Sequence, residues 1–435
     1  MMRILLVQLL EYLYPWGGAH KANRILMEGL TERGHECVVV TPEVYIGGFE
    51  EYFNEKKNSN EFEISAESEN VTVIRKKGVT VYRVEGEYKI FSFIRKMVED
   101  FKPDITLISE DKSHLLMEAV LETKTRTICL AHSQTVLPFG PECFEEKQDK
   151  TTLYSKLHGI ISVSDYLQSY FKKWAGLESK RIYFPSYGKG PFPFLGNFDN
   201  PYITVINPSG IKGFPIIAGL ARSFPKVQFA AVITWSTTKA ELEELKAIEN
   251  VIIMKPEENV DVIYRQTKVF LMPSLWGEAF GQVVVEAMLR GIPVIASNVG
   301  GLPEAKQGLN YILPVNPIKK YINEKELLMS VHRPVLPEQN LKPWIETLDR
   351  LINDRRLYEE LSGQSYEKAA QFHSKLGFEE FEQYFREVME AYPDELLGKK
   401  NRNHSAGSAL ERINLLSPEK REQLYDRLRK TGGKV

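Results

Sequence analysis

Two glutamates in the second half of the chain have surroundings that favour ligand binding. Glu278 and Glu286 follow the apolar run 269–273, and seven residues lie between them. At about 1.5 Å of helical rise per residue they would lie ~12 Å apart, which is too far to share a proton. Glu278 alone could be a surface carboxylate near a helix N-terminus. Glu286 lies in the apolar stretch 283–289, where an unpaired carboxylate is costly, so ribose hydroxyls are a natural partner. The spacing predicts two separate contacts to one extended ligand.

Glycines occur at two predicted strand-to-helix junctions. Gly17 and Gly18 lie between the first strand and the first helix, and Phe280-Gly281 opens the helix that contains Glu286. A backbone without a Cβ atom lets a ligand approach closely, and a helix N-terminus offers N–H groups that suit a phosphate. The alternative for Gly17-Gly18 is a tight turn that requires a positive φ.

A lysine and a histidine follow predicted strands at the edge where ligands of α/β sheets bind. Lys212 belongs to the loop 208–213 after the strand 202–206, and its charge suits phosphate oxygens. His132 comes directly after the strand 127–130. The alternatives are a surface lysine and a histidine bonded to backbone.

The elements that must position these residues form an alternating β/α pattern, which predicts mostly parallel sheets. The first half predicts a helix over 19–33, ended by Gly34, and a long irregular loop over 44–70. Predicted strands of this half are 3–9, 37–41, 71–74, 79–84, 105–109, 127–130, 159–163 and 181–184. Residues 185–200 are rich in proline, glycine and asparagine, which indicates a domain boundary. Predicted strands after it are 202–206, 227–233, 251–254, 269–272 and 293–296, and from about 338 only helices are expected.

Composition excludes several classes of function. The formal net charge is −2 over 435 residues, so no broad basic surface for nucleic acid is expected. There are three cysteines without a CxxC pair, no HExxH and no Asp-x-Asp, so we expect no metal, no cofactor and a reducing, cytoplasmic compartment. Gln8 and Glu11 interrupt the apolar N-terminus, which is therefore expected to be a strand and not a signal peptide. No apolar stretch reaches the ~18 residues of a transmembrane helix.

The second-half motifs resemble those of the family-4 retaining glycosyltransferases of the GT-B fold. The likeness rests on Glu278-x₇-Glu286 with its Phe280-Gly281 step, on Gly291-Ile-Pro, and on Gly300-Gly301-Leu-Pro-Glu. It implies an α/β fold with two Rossmann-like domains facing a central cleft, followed by C-terminal helices. By this likeness the donor-binding residues are Gly17, Gly18, Lys212, Phe280, Gly281 and Glu286, and the catalytic residues are His132, Glu278 and Lys212. The family usually has an arginine where this chain has Asn207.

The resemblance also implies a domain plan and a reaction. We expect an acceptor-binding domain over 1–195, a donor-binding domain over 196–375, a helix over 376–397 that crosses back to the first domain, and a flexible tail over 398–435. The expected reaction is transfer of a hexose, with retention and without metal, from a nucleoside-diphosphate sugar, specifically a UDP-sugar, to a hydroxyl acceptor. Acceptor contacts are expected around 44–70 and 134–150, the latter through an apolar stretch at 137–141. The alternatives are an epimerase or phosphorylase on the same fold, or a catalytically silent sugar-nucleotide-binding protein. The short amphipathic helix predicted at 418–430 could dock a protein partner or pack on its own core.

Overall fold

The chain divides into two compact units. The computed structural model describes residues 1–9, 11–13, 17–43, 49–85, 89–109, 112–326 and 329–397. One unit consists of Met1–Phe184 together with the described residues from Phe378 onward, and the other of Pro185–Gly377. The predicted tail over 398–435, with its helix, and the start of the predicted loop at 44–48 lie outside the described residues.

The first unit is built on a nine-stranded sheet. Its strands are β1 (Arg3–Val7), β2 (Glu36–Pro42), β3 (Glu63–Ser68), β4 (Val71–Lys76), β5 (Val79–Val84), β6 (Ile105–Ser109), β7 (Thr127–Ala131), β8 (Gly159–Ser162) and β9 (Lys180–Arg181). Their order is β3-β4-β5-β2-β1-β6-β7-β8-β9, and every pair from β5 to β9 is parallel. Central strands of such a sheet are apolar because helices cover both faces. Ile4, Leu5, Leu6 and Val7 accordingly have no exposed surface.

The helices of this part of the chain follow the predicted alternation. They are α1 (Gly18–Glu32), α2 (Phe49–Asn58), α3 (Lys89–Phe101), α4 (Leu115–Leu121), α5 (Gln148–Tyr154) and α6 (Asp165–Ala175). The predicted loop over 44–70 is wrong for its described part, which contains α2 and β3. β3 is an edge strand that pairs antiparallel with β4, and its side chains are mostly exposed. Since neither face of β3 is buried, its sequence lacks the alternation by which strands are recognised.

The second unit contains a six-stranded, wholly parallel sheet. Its strands are β10 (Tyr202–Ile206), β11 (Gln228–Val232), β12 (Val251–Met254), β13 (Thr267–Met272), β14 (Val294–Ser297) and β15 (Ile312–Leu313). The order is β12-β11-β10-β13-β14-β15, so the direction of strand addition reverses between β10 and β13. Open α/β sheets bind ligands at such a switch point, outside the carboxyl ends of the strands.

Helices pack on both faces of this sheet around a core that includes the fully buried Trp344. They are α7 (Phe214–Ser223), α8 (Lys239–Lys246), α9 (Asp261–Tyr264), α10 (Gln282–Met288), α11 (Leu302–Ala305), α12 (Lys342–Asn353) and α13 (Arg355–His373), with a 3₁₀ turn at Gly210–Lys212. An antiparallel hairpin of β16 (Tyr321–Glu326) and β17 (Met329–Pro334) follows β15. This hairpin was not predicted from the sequence.

The last described helix, α14 (Glu379–Ala391), belongs to the first unit. Its Glu382 accepts a hydrogen bond from Arg33 Nε at 2.6 Å, and its Phe381 ring lies 4.9 Å from the ring of Phe184. The Arg33 guanidinium holds the pKa of Glu382 down at about 2. Among the described residues no helix combines the length and apolar character needed to cross a bilayer.

Candidate functional site

Lys212 is positioned by a short loop at the carboxyl end of β10. It closes the 3₁₀ turn, and Gly213 follows with a φ of +85°. A Cβ atom at Gly213 would collide with the carbonyl oxygen of Pro273, so only glycine lets the two loops approach this closely. Leu275 N–H donates to the Ile211 carbonyl at 2.9 Å. The loop that carries Lys212 is therefore fixed against the loop that follows β13.

Asn207 has a structural task at the position where the resemblance led us to expect arginine. Its φ of +63° lies in the left-handed region, which asparagine tolerates better than most residues. Its Oδ1 accepts hydrogen bonds from Ser236 N at 3.3 Å and from Ser236 Oγ at 2.7 Å. The side chain therefore connects the ends of β10 and β11.

Glu278 lies in the loop between β13 and α10, and the backbone of Gly300 and Gly301 packs against this loop. Gly301 N–H donates to the Glu278 carbonyl at 2.7 Å, and Gly300 has a φ of +56°. A Cβ atom at Gly300 would collide with the backbone of Glu278. The loop that contains Glu278 can pack this closely because Gly300 and Gly301 have no side chains.

Three donors converge on one oxygen of the Glu278 carboxylate. Oε1 accepts hydrogen bonds from Lys212 Nζ at 2.5 Å, Ser274 Oγ at 2.6 Å and Trp276 Nε1 at 2.7 Å. Glu278 is 8% exposed, and the Lys212 ammonium also lies 4.9 Å from the centroid of the Trp276 ring. The structure therefore brings together Lys212 and Glu278, which the sequence singled out separately. Chemically, the cluster offers a cation for phosphate and a carboxylate for hydroxyl groups.

Glu286 lies in α10, which begins directly after Gly281. Glu286 is 6% exposed, as the apolar sequence around it predicts. Arg290 donates to the Glu286 carbonyl at 3.4 Å and to Asp261 Oδ1 at 2.7 Å. Burial, with the negative charge of Glu286 next in importance, raises the pKa of Tyr264 well above its usual value. Glu286 therefore stands in a buried, partly aromatic environment.

Phe280 and Gly281 connect the Glu278 loop to α10. The Phe280 ring is buried and stacks on Phe372 with 5.7 Å between ring centroids. Gly281 is the N-cap residue of α10. The Phe280 side chain anchors the helix start in the core, so a ligand contact at this step would use backbone groups.

In the first unit, the predicted glycines begin α1. Gly18 is the first helical residue, and Gly17 precedes it with an extended backbone at a φ of −177°. Any residue adopts that conformation, so the alternative of a turn that requires a positive φ does not describe Gly17.

His132 lies at the carboxyl end of β7 and faces α1. Its Nε2 is 2.8 Å from Asn23 Oδ1, while Asn23 Nδ2 donates to Gln8 Oε1 at 3.1 Å and to Ser109 Oγ at 2.9 Å. Because the amide nitrogen of Asn23 is used in this way, its oxygen faces the histidine, and His132 Nε2 carries the hydrogen. Burial lowers the pKa of His132 to about 3, with a smaller effect from His20. His132 is thus a neutral, oriented imidazole and not a cation.

Sequence reasoning missed Asn23, Ser274 and Trp276. Asn23 carried a usable signal, since it interrupts the apolar face of a helix and is fully buried.

The apolar stretch at 137–141 was expected to contact an acceptor. Its Leu137 and Phe139 side chains instead pack within the core of the first unit, where they are 1% and 3% exposed. Across the described residues, no group of three or more His, Cys, Asp or Glu side chains could hold a metal ion.

Two similar proteins cover different shares of this chain. An uncharacterized 42.6 kDa protein in the cps region of Klebsiella pneumoniae is 25% identical over 351 residues, which are 72% of this chain and 88% of that protein. The D-inositol 3-phosphate glycosyltransferase of Corynebacterium diphtheriae is 29% identical over 118 residues, which are 27% of this chain and 22% of that protein.

Solved structures share the fold. Sucrose-phosphate synthase from Thermosynechococcus elongatus has a TM-score of 0.62 at 16% identity and covers 90% of this chain and 100% of its own. HepE from Anabaena, in complex with UDP and glucose, has a TM-score of 0.62 at 15% identity with the same coverage. Both likenesses show the fold that the sequence predicted.

Two protein-family models match consecutive parts of the chain. The model described as Glycosyltransferase Family 4 matches residues 16–184, and the one described as Glycosyl transferases group 1 matches residues 234–368. Together they include the Gly17-Gly18 junction, His132 and the motif from Glu278 to Glu286. The chain therefore belongs to the family-4 glycosyltransferases and has their GT-B fold.

Proposed function

We propose that this glycosyltransferase moves a hexose from a UDP-sugar to a hydroxyl acceptor, with retention of configuration and without a metal ion. The contact between Lys212 and Glu278 carries the proposal. A cation and a carboxylate sit at the carboxyl ends of β10 and β13, where the strand order reverses and a ligand is expected. The UDP and glucose in the HepE structure support a uridine donor of this chemistry.

Each residue has a separate task in this proposal. Lys212 stabilises the charge that develops on the departing diphosphate, together with the backbone N–H groups of Phe280 and Gly281. Glu286 binds ribose hydroxyls, and Glu278 binds hydroxyls of the transferred sugar. In the first unit, Gly17 and Gly18 admit phosphate oxygens to the start of α1.

The proposed reaction needs no covalent intermediate between enzyme and sugar. The acceptor oxygen attacks the anomeric carbon from the face that the diphosphate leaves, and a donor phosphate oxygen takes the acceptor's proton. The neutral His132 cannot supply positive charge near neutral pH, since its pKa is about 3. It serves instead as a hydrogen-bonding group toward the sugar. The protein thus contributes position and electrostatic stabilisation.

A thermal-shift panel with UDP, GDP, ADP and their glucose conjugates tests the donor. A ligand that binds the folded state raises the melting temperature, more so at a given concentration the lower its Kd, and we expect UDP and UDP-glucose to give the largest shifts. Lys212→Met should weaken UDP binding roughly 10- to 100-fold, because hydrogen bonds to charged groups contribute about 1.5–3 kcal/mol.

Lys246→Met is the matched control. This lysine is in the same unit, its side chain is 50% exposed, and it pairs with Glu243. The control should bind UDP as the wild type does. Unchanged UDP affinity in Lys212→Met would contradict the proposed diphosphate site, and a preference for GDP or ADP would contradict the uridine donor.

A further inference from the structure

Trp276 contacts both charged members of the cluster at once. Its indole N–H donates to Glu278 Oε1 at 2.7 Å, and its ring lies below the Lys212 ammonium at 4.9 Å from the centroid. The side chain is half-buried and packs against the core of the second unit. The Leu275 N–H bond to Ile211 fixes the backbone next to it. Trp276 therefore contacts both the ammonium and the carboxylate from a backbone position that is itself held in place.

The hydrogen bonds on Glu278 indicate which of them is replaceable. Oε1 has three donors, although a carboxylate oxygen has about two lone pairs. Ser274 is fully buried, and its backbone carbonyl accepts from Ser297 Oγ at 2.7 Å, so the backbone that carries its hydroxyl is held in place. Lys212 has a long flexible side chain with many rotamers. Lys212 is thus the donor that can leave while the other two remain.

We infer that Trp276 is a positioning residue with two separable tasks. When Lys212 moves to the diphosphate, the indole N–H and Ser274 keep the Glu278 carboxylate oriented toward the sugar. The indole ring meanwhile attracts the Lys212 ammonium through a cation–π interaction and keeps it close to where it binds the diphosphate. This inference rests on the proposed function, because it assumes that Lys212 binds diphosphate and Glu278 binds sugar.

Two substitutions separate the two tasks. Trp276→Phe removes the N–H donor but keeps an aromatic face, whereas Trp276→Leu removes both. UDP affinity, measured by calorimetry, reports on Lys212, and the kcat of UDP-glucose hydrolysis or transfer reports on Glu278. We expect Trp276→Phe to bind UDP within about twofold of wild type while kcat falls about tenfold or more, as for loss of a charged hydrogen bond. Trp276→Leu should show the same fall in kcat and a further several-fold loss of UDP affinity.

Trp174→Phe and Trp174→Leu are the matched controls, since Trp174 in α6 is also half-buried and its ring centroid also lies 4.9 Å from an ammonium, that of Lys173. Both should leave UDP affinity and kcat unchanged. Melting temperatures of all four variants identify any that has lost its fold, and Trp276→Phe, which keeps the ring, should melt close to wild type. A merely structural role for Trp276 would lower both readouts together in proportion to the loss of stability.

The outcomes distinguish the inference from the proposed function. If wild type binds UDP but Trp276→Phe has wild-type kcat, or loses UDP affinity as strongly as Trp276→Leu, the positioning role is wrong and the proposed function stands. If wild type fails to bind UDP and to consume UDP-glucose, the proposed function is overturned, and the inference with it.

Discussion

Replacing Lys306 with methionine should stabilise the protein near neutral pH, and this advantage should shrink as the pH rises. Lys306 follows α11 and has no exposed surface. Its Nζ donates to the carbonyl oxygen of Val294 in β14 at 2.6 Å. Burial lowers the pKa of Lys306 from 10.5 to about 7, because an ammonium group in an apolar interior loses its hydration.

The size and sign of the effect follow from this shift. One pKa unit corresponds to about 1.4 kcal/mol, so the fall from 10.5 to about 7 costs at most about 5 kcal/mol of folding free energy. Between those two pH values the unfolded chain binds the proton and the folded chain does not, so stability rises with pH. Below about pH 7 both states bind it, and the cost is constant. The Met variant has no such term, so its advantage over wild type should fall by about 1.4 kcal/mol per pH unit above pH 7.

Urea unfolding at several pH values between 6 and 9 measures this difference. Tryptophan fluorescence, to which the fully buried Trp344 of the same unit contributes, reports the transition. Loss of the bond to Val294 adds a penalty of about 1 kcal/mol that does not depend on pH, so the slope is the decisive quantity. Lys246→Met, at an exposed lysine, should show no pH-dependent difference from wild type. A Lys306→Met difference that stays constant from pH 7 to 9 would refute the assignment of a neutral buried lysine.

Two further predictions concern the site. Transfer activity should survive excess EDTA, since the sequence has no Asp-x-Asp and the described residues contain no metal-binding group; complete loss that magnesium or manganese restores would contradict this. Glu286→Ala should weaken binding of UDP itself, whereas Glu278→Ala should lower turnover and leave UDP affinity nearly intact. Calorimetry with UDP measures both, and equal affinity losses in the two variants would refute their separate roles.

The parallel sheets could be predicted because their central strands are buried on both faces and read as short apolar runs. β6, β10 and β12 occur at the predicted residues. The β16–β17 hairpin was not predicted, and neither was the edge strand β3, whose mostly exposed side chains give neither an apolar run nor a clean alternation. β3 is therefore defined by its pairing with β4 and not by burial.

The burial of the candidate residue Glu286 could be predicted from the sequence, but the contacts between candidate residues could not. Glu286 was identified because a carboxylate in an apolar helix requires a partner, which is a local property of the sequence. The bond between Lys212 and Glu278 joins residues 66 apart and depends on the packing of Gly213 against Pro273. The bond between Asn207 and Ser236 likewise joins residues that are distant along the chain. Spacing along the chain holds no information on such contacts.

The stereochemistry of transfer tests the central claim most directly. Proton NMR of the first-formed product from α-linked UDP-glucose, with water or a simple alcohol as acceptor, shows the anomeric configuration before the free sugar equilibrates. The account predicts an α product, with the anomeric configuration retained. A β product formed first would contradict same-face attack and with it the proposed roles of Lys212 and Glu278.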